Sequence, residues 1–412
     1  MHKFVSILRS RLPVLAGVAA VVLALLVGVY IKGSLYGAWK MLGILALSPT
    51  FADTRTVTHS IDCLLTGQNP YVVRTFDPWH RVYNYPPIWL DLRYVGVTSR
   101  ASNLLGTTLA AMTASTFLVL FRARTWAGAV IIFFAVMSRT VLFAVERGNT
   151  DQAIFFLLIF GFFLINRQNV KVRTFLKGSL IVLLTVLKIF PITAVVVLIR
   201  NRKAVFIALL IAVLSVAALA VTARPHLSEI LANTPQDVIL SFGTWPFFVA
   251  AGDHTTHFLA QLIRHHPKIA NLGSMLLAVL SVTAGISYRE KLNRFLPPLD
   301  FDQARGSIAV AGLAIFCFTF LRGSSYDYRL LFLLGTLAYL VNDLNDNKSL
   351  RSLPAAILLL LLLWKPPALS LIFEIVDCLV FVGSCAWLGT SLFDRLALTL
   401  HTVAPSPEAT QH

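Results

Sequence analysis

Apolar runs long enough to cross a bilayer recur along the whole chain, and no other feature constrains its fold as strongly. Inside a membrane every backbone N–H and C=O has to be satisfied within its own segment, so such runs fold as helices. They lie near residues 12–31, 104–121, 126–144, 152–165, 204–222, 269–287, 307–321, 328–341, 353–364 and 370–392. Charged residues make up 13% of the 412, and mean hydropathy is +0.75; a soluble domain carries about 25% charge. The pattern predicts an all-α polytopic membrane protein with about ten transmembrane helices. It forms one integral unit over residues 1–404, followed by a polar, disordered tail at 405–412.

The formal charge of +16 does not point to nucleic acid, because the basic residues sit in short clusters between apolar runs. That is the pattern of cytoplasmic loops and lipid headgroup contacts. Lys3, Arg9 and Arg11 precede the first run, which lacks a small-residue cleavage site and reads as an uncleaved span. Both termini are then cytoplasmic. Cys63, Cys317, Cys378 and Cys385 show neither metal spacing nor a disulfide framework.

One apolar stretch departs from the pattern. Residues 178–199 are broken at Lys188-Ile189-Phe190-Pro191 and flanked by basic clusters at both ends. This predicts a re-entrant helical hairpin with Lys188 near its bend, since broken backbone is tolerated where protein or water surrounds it. The resulting topology puts four segments on the outer side: the first outer loop (33–103), the Glu146–Asp151 turn, the second outer loop (223–267) and Arg322–Arg329.

The first outer loop holds the main candidate for chemistry. Thr50 and Asp53 have capping-box-like spacing for a helix start, and Gly67 fits its end. On that helix Asp53, Val57, Ile61 and Leu64 share a stripe, while Arg55, His59 and Asp62 face elsewhere. A carboxylate on the apolar face beside an aqueous compartment suits a general base. The plainer alternative is a helix cap, with Asp62 the second choice as base; Asp77-Pro78 reads as a turn. Leu35–Leu47 and Trp79–Tyr94 carry aromatics that suit interfacial segments. Tyr85-Pro86-Pro87 stiffens the loop.

Arg147, Lys188, Arg322 and Arg329 are cations at span ends, suited to a departing phosphate or to ion pairs with Glu146, Asp151 and Asp327. Asp253, His254 and His257 have the spacing of a metal pair but lack a third ligand, so no metal is expected. There is no Walker loop, dinucleotide fingerprint or HExxH.

In order, the chain shows a loop acid, Gly67-Gln68-Asn69-Pro70-Tyr71, Tyr85-Pro86-Pro87, Arg147-Gly148-Asn149 at a span end, and Leu187-Lys188 with Pro191. Over residues 50–205, with Tyr326-Asp327-Tyr328-Arg329-Leu330 as a further element, it resembles the GT87 glycosyltransferases. The resemblance implies a GT-C-like fold in a bacterial plasma membrane, with the active site on the outer face. It implies a hexosyltransferase that moves a mannose-type sugar from a polyprenyl-phosphate donor to a lipid-linked or cell-envelope glycan acceptor, without a cofactor. Asp53 matches the loop acid. Arg147, Asn149, Asp151, Lys188 and Arg329 would bind donor phosphate and sugar, and Arg55, Tyr71, Tyr85, Pro86, Asp327 and Tyr328 would position the loop. Glu146 and Asp151 make the Arg-Gly-Asn turn more acidic than the pattern implies.

Three other classes compete. A lipid or glycan transporter or flippase predicts polar residues spread through the bilayer and inverted repeats. A scaffold predicts no dependence on Asp53. A polymerase or ligase of polyprenyl-diphosphate glycans predicts a larger second outer loop.

Overall fold

The apolar runs fold as helices in the computed structural model, which describes residues 2–234, 237, 239–255, 267–346, 350–366 and 370–401. Seven helical stretches among the described residues are long and apolar enough to cross a membrane, and two more, Asp151–Ile165 and Leu350–Leu363, are shorter. The long ones include α1 (His2–Lys32), α4 (Ser102–Leu120), α9 (Arg202–Ala223), α12 (Pro267–Ser287), α14 (Ala304–Leu321) and α17 (Leu371–His401), with the shorter α10 (Leu227–Asn233), α11 (Thr244–Thr255) and α13 (Arg289–Phe295) between them. The run at 126–144 is two helices, α5 (Trp126–Val136) and α6 (Arg139–Arg147), broken at Met137-Ser138. The run at 328–341 opens instead as a 3-10 stretch, Asp327–Phe332, before α15 (Leu333–Asp346). The tail 405–412 and His257 lie outside the described residues, as do the side chains of Asp253 and His254.

The core forms around α14, whose residues from Gly306 to Phe316 are all buried. It packs against α15, α17 and α7 (Asp151–Ile165) through Ile308, Leu337, Phe381 and Phe155. Aliphatic and aromatic side chains supply almost all of this core. In contrast α1, α9 and α12 expose long apolar faces, with Leu23, Leu26, Phe206, Val213, Leu272 and Val279 each more than half exposed. A helix apolar all round whose outer face is uncovered by protein is the form lipid demands.

The broken segment is a helix and a 3-10 stretch that meet at the Lys188-Ile189-Phe190-Pro191 interruption. α8 (Val170–Leu187) is capped by Asn169, whose Oδ1 accepts from Val172 N at 3.1 Å. It stops at Lys188, which is extended, and a 3-10 stretch, Phe190–Leu198, carries the chain back. Arg173 on α8 and Arg200 after the 3-10 stretch both reach the Asp302 carboxylate, at 3.4 and 2.9 Å. The excursion therefore leaves and returns at one place, with Lys188 roughly 23 Å from Arg173 at 1.5 Å per residue.

The first loop lies across the opposite end. It contains α2 (Leu35–Met41), α3 (Ala52–Leu65) and a 3-10 stretch, Pro87–Val95. Trp89 Nε1 donates to Leu187 O at 3.0 Å, which ties the loop to the hairpin bend. The second loop joins there through β1 (Ser241–Phe242), antiparallel to β2 (Ser325–Tyr326). Asp327 N–H donates to Leu240 O at 3.0 Å and continues that contact.

Candidate active site

The turn Glu146–Asp151, between α6 and α7, is the seat on which α3 rests. Phe51 N–H donates to Glu146 O at 2.9 Å, and Thr54 Oγ1 donates to Gly148 O at 2.6 Å. Glu146 is fully buried, and its Oε1 accepts from Leu47 N at 2.9 Å. Gly148 is left-handed (φ 56°), and a Cβ there would lie 2.4 Å from Thr54 Oγ1. Only glycine meets both demands without strain.

This docking corrects the expected capping box. The N-cap of α3 is Phe51 in the left-handed region (φ 63°), with no side-chain cap, and Thr50 offers only its carbonyl, to Arg55 Nε at 2.8 Å. Contacts to the neighbouring turn take the place of the cap. The helix ends as Gly67 predicts. Gly67 N–H donates to Leu64 O and Gln68 N–H to Cys63 O, with Gly67 at φ 79°, which is a Schellman ending.

Asp53 emerges from the first turn of α3 with both carboxylate oxygens engaged. Oδ2 accepts from Asn149 Nδ2 at 2.5 Å, and Oδ1 meets Arg81 at 3.3 Å. Its side chain keeps 11% exposure, and it faces a cavity of about 760 Å³. Arg81 is itself clamped. Asp77 takes Nε at 3.2 Å and one terminal nitrogen at 3.1 Å; that nitrogen also donates to Ala52 O at 2.6 Å, and Trp79 stacks at 4.7 Å. Thr56 on α3 donates to Asp77 at 3.0 Å, which closes the unit. Burial opposes the Arg81 charge, but Asp53 and Asp77 outweigh it and raise its pKa above the ordinary arginine value.

A second group of charges lies beneath. Lys188 Nζ pairs with Asp151 Oδ1, and Arg329 Nε approaches Oδ2 of the same carboxylate at 3.5 Å. Lys188 also reaches Asn149 Oδ1 at 3.5 Å and lies 5.2 Å from the Tyr85 ring centre. Arg329 is fixed by Ser325 Oγ at 2.7 Å. Arg147 stacks on Phe143 and pairs with Glu146 at 3.4 Å.

The cavity wall combines Asp53 with Arg74, Arg81, Arg147, Lys188, Arg322 and Arg329. Leu219, Leu227, Phe190 and Phe318 give it an apolar side. Tyr85, Pro86 and Tyr328 also line it, and burial pushes the Tyr85 phenol well above the usual tyrosine value, so it stays a neutral donor. Tyr71 lies behind, its hydroxyl on Tyr85 O at 3.1 Å and its ring stacked on His226. Arg55 holds Asn103 at 2.6 Å.

The structure thus gathers Asp53, Arg147, Asn149, Asp151, Lys188 and Arg329 as one cluster, but in two layers. Asn149 and Asp151 are fully buried behind the wall, their polar atoms committed to Asp53, Lys188 and Arg329. Asp62 is elsewhere, accepting from Ser99 N at 3.2 Å. Asp327 turns away from the first loop toward Lys365. The sequence reading missed Arg81 and Asp77 as a unit. Their i, i+4 spacing across Pro78 was the available signal.

No protein-family model matches the chain, and no curated protein matches it in sequence.

Proposed function

We propose that the protein is a membrane hexosyltransferase of the GT87 kind, with a GT-C-like fold whose seven long spans, two shorter helices and α15 make up about ten crossings. One observation carries this reading: a carboxylate oriented by two donors, Asn149 and Arg81, faces a cavity rich in cations and walled on one side by apolar residues. A polyprenyl phosphate sugar presents the matching chemistry, an anionic group between an apolar chain and a polar sugar.

The reaction is a single inverting displacement. Asp53 accepts the proton of an acceptor hydroxyl as that oxygen attacks the anomeric carbon, and the bond from that carbon to the phosphate oxygen breaks. The polyprenyl phosphate leaves with the electron pair, and Lys188, Arg329 and Arg147 neutralise its charge. Asn149 and Asp151 act one layer back. Asn149 orients the base, and Asp151 holds two of the cations in place until phosphate arrives. Tyr85, Tyr328 and Arg81 are the wall groups that meet sugar hydroxyls. The acceptor is a lipid-linked or envelope glycan at the outer face of a bacterial plasma membrane.

The test compares envelope lipids and glycans from cells lacking the protein, complemented with wild type or Asp53→Asn at equal expression. The expected result is a glycan short of one hexose that only wild type restores. Full restoration by Asp53→Asn removes Asp53 as the base, and an unchanged glycan profile favours a transporter or scaffold.

A further inference from the structure

Away from the cavity, three ionisable side chains meet with almost no access to solvent, and a fourth, Asp327, lies close enough to feel their charge. Lys365 follows α16 (Leu353–Leu363), Glu374 and Asp377 lie in the first two turns of α17, and Asp327 follows β2. Their exposures are 3%, 0%, 0% and 7%. Lys365 Nζ lies 2.6 Å from Glu374 Oε1 and 2.7 Å from Asp377 Oδ2, and it donates to Ser241 O at 2.8 Å. Two carboxylate oxygens thus crowd a single ammonium. Both Glu374 oxygens, Asp377 Oδ1 and Asp327 Oδ1 are buried without any hydrogen-bond partner, Glu374 Oε1 having only its charge contact with Lys365.

Charge counting decides what this cluster holds. Three ionised carboxylates against one ammonium leave an excess of two negative charges in a buried site. Arg139 on α6 and Asp237 also act on Asp327, so one positive and one further negative group face the cluster from other elements. An uncompensated buried charge is costly enough that the group takes up a proton instead. Burial pushes the Asp327 carboxyl up to about 7, the direction this argument requires.

We infer that Lys365, Glu374, Asp377 and Asp327 form a buried proton-binding site, in which the Glu374–Asp377 pair holds a proton against Lys365 at neutral pH. A protonated carboxyl becomes a donor, so a proton held between Glu374 and Asp377 gives one of their orphaned oxygens a partner. Through Ser241 O and Asp327 the site braces the β1–β2 ladder, which leads directly into Tyr328 and Arg329 in the cavity wall. This inference does not depend on what the cavity binds.

The experiment is thermal unfolding of the full-length protein in detergent micelles between about pH 5 and 9. A proton kept by the folded site but already released by the unfolded chain makes stability fall as pH rises, until the folded site releases it too. The wild-type Tm is therefore expected to fall across this range. Glu374→Gln, which mimics the protonated acid, keeps the fold and flattens the fall. Lys365→Met lowers Tm by several degrees at every pH, and adding Glu374→Gln recovers part of the loss. A pH-independent wild-type Tm, with Glu374→Gln as damaging as Lys365→Met, would overturn the inference in favour of fully ionised pairs. Should the variants fail to fold, infrared spectroscopy of the wild type decides alone. The expected result is a protonated-carboxyl band at neutral pH that fades at high pH; absence of the band refutes the site.

Discussion

Asn149 donates its side-chain amide to Oδ2 of Asp53 at 2.5 Å, which joins the first turn of α3 to the turn before α7 through the carboxylate itself. Asn149 is fully buried and Asp53 nearly so, so the contact fixes which way the Asp53 oxygens point. A hydrogen bond to a charged group contributes about 1.5–3 kcal/mol. Asn149→Ala is expected to lower the rate of sugar transfer by about 10- to 100-fold with little change in KM. Hexose incorporation by membranes, measured against acceptor concentration, checks this. Asn149→Asp is expected to be worse, because it sets a second carboxyl against Asp53.

Arg81 and Asp77 act as one unit, since Asp77 holds the guanidinium that meets Asp53. Arg81→Met and Asp77→Asn are each expected to reduce transfer, and the double variant is expected to be little worse than Arg81→Met alone. Arg81→Lys keeps the charge but cannot bridge both carboxylates, so it rescues only part of the loss. Additive losses in the double-variant cycle would separate the two residues.

Asp151 is fully buried between Lys188 and Arg329. Removing one partner of a buried pair costs about 3–5 kcal/mol. Lys188→Met is therefore expected to lower Tm by several degrees, and Lys188→Met with Asp151→Asn by less than the sum of the two single variants. Thermal unfolding of all three variants in detergent measures the difference.

Gly148→Ala combines a left-handed backbone with a Cβ 2.4 Å from Thr54 Oγ1. The strain is about 1–3 kcal/mol, and α3 has to shift to relieve it. The expected result is a lower Tm together with a loss of transfer larger than stability explains, because Asp53 moves with α3. Thr54→Ala, which removes the clashing oxygen, restores part of both.

At the far end, Asp302 pairs with Arg173, Arg200 and Arg395. Burial raises its carboxyl pKa, but these arginines outweigh that and hold it below the usual aspartate value. A depressed folded value means stability present above the unfolded pKa and lost as pH falls through the folded one. Wild-type stability is expected to decline below about pH 4, and Asp302→Asn to lose a few degrees of Tm at neutral pH and to decline less in acid. Unfolding scans in acid and neutral buffer show whether it does.

Periodicity carried further than motif spacing in this chain. The apolar runs specify the helices because a buried or lipid-facing segment has to satisfy its own backbone, and this depends only on local sequence. The stripe through Asp53, Val57, Ile61 and Leu64 likewise predicts burial; the first three are buried and Leu64 is half-buried, while Thr54, Thr56 and Thr58 off the stripe are buried by contacts the period does not foresee. The Thr50–Asp53 capping box failed because its signal is local while the real partners, Glu146 O and Gly148 O, lie more than ninety residues away.

By itself, then, the sequence determined a helical membrane protein, the bend at Lys188 and the candidate acid at Asp53, since each follows from hydropathy, a Pro or a helical period. Tertiary structure alone decided what each charge does. It placed Asp151 beneath two cations, gave Asp53 its two donors and closed Glu374 and Asp377 around Lys365. The role of a charged group depends on which groups lie within a few ångströms and on how much water remains, and sequence order specifies neither.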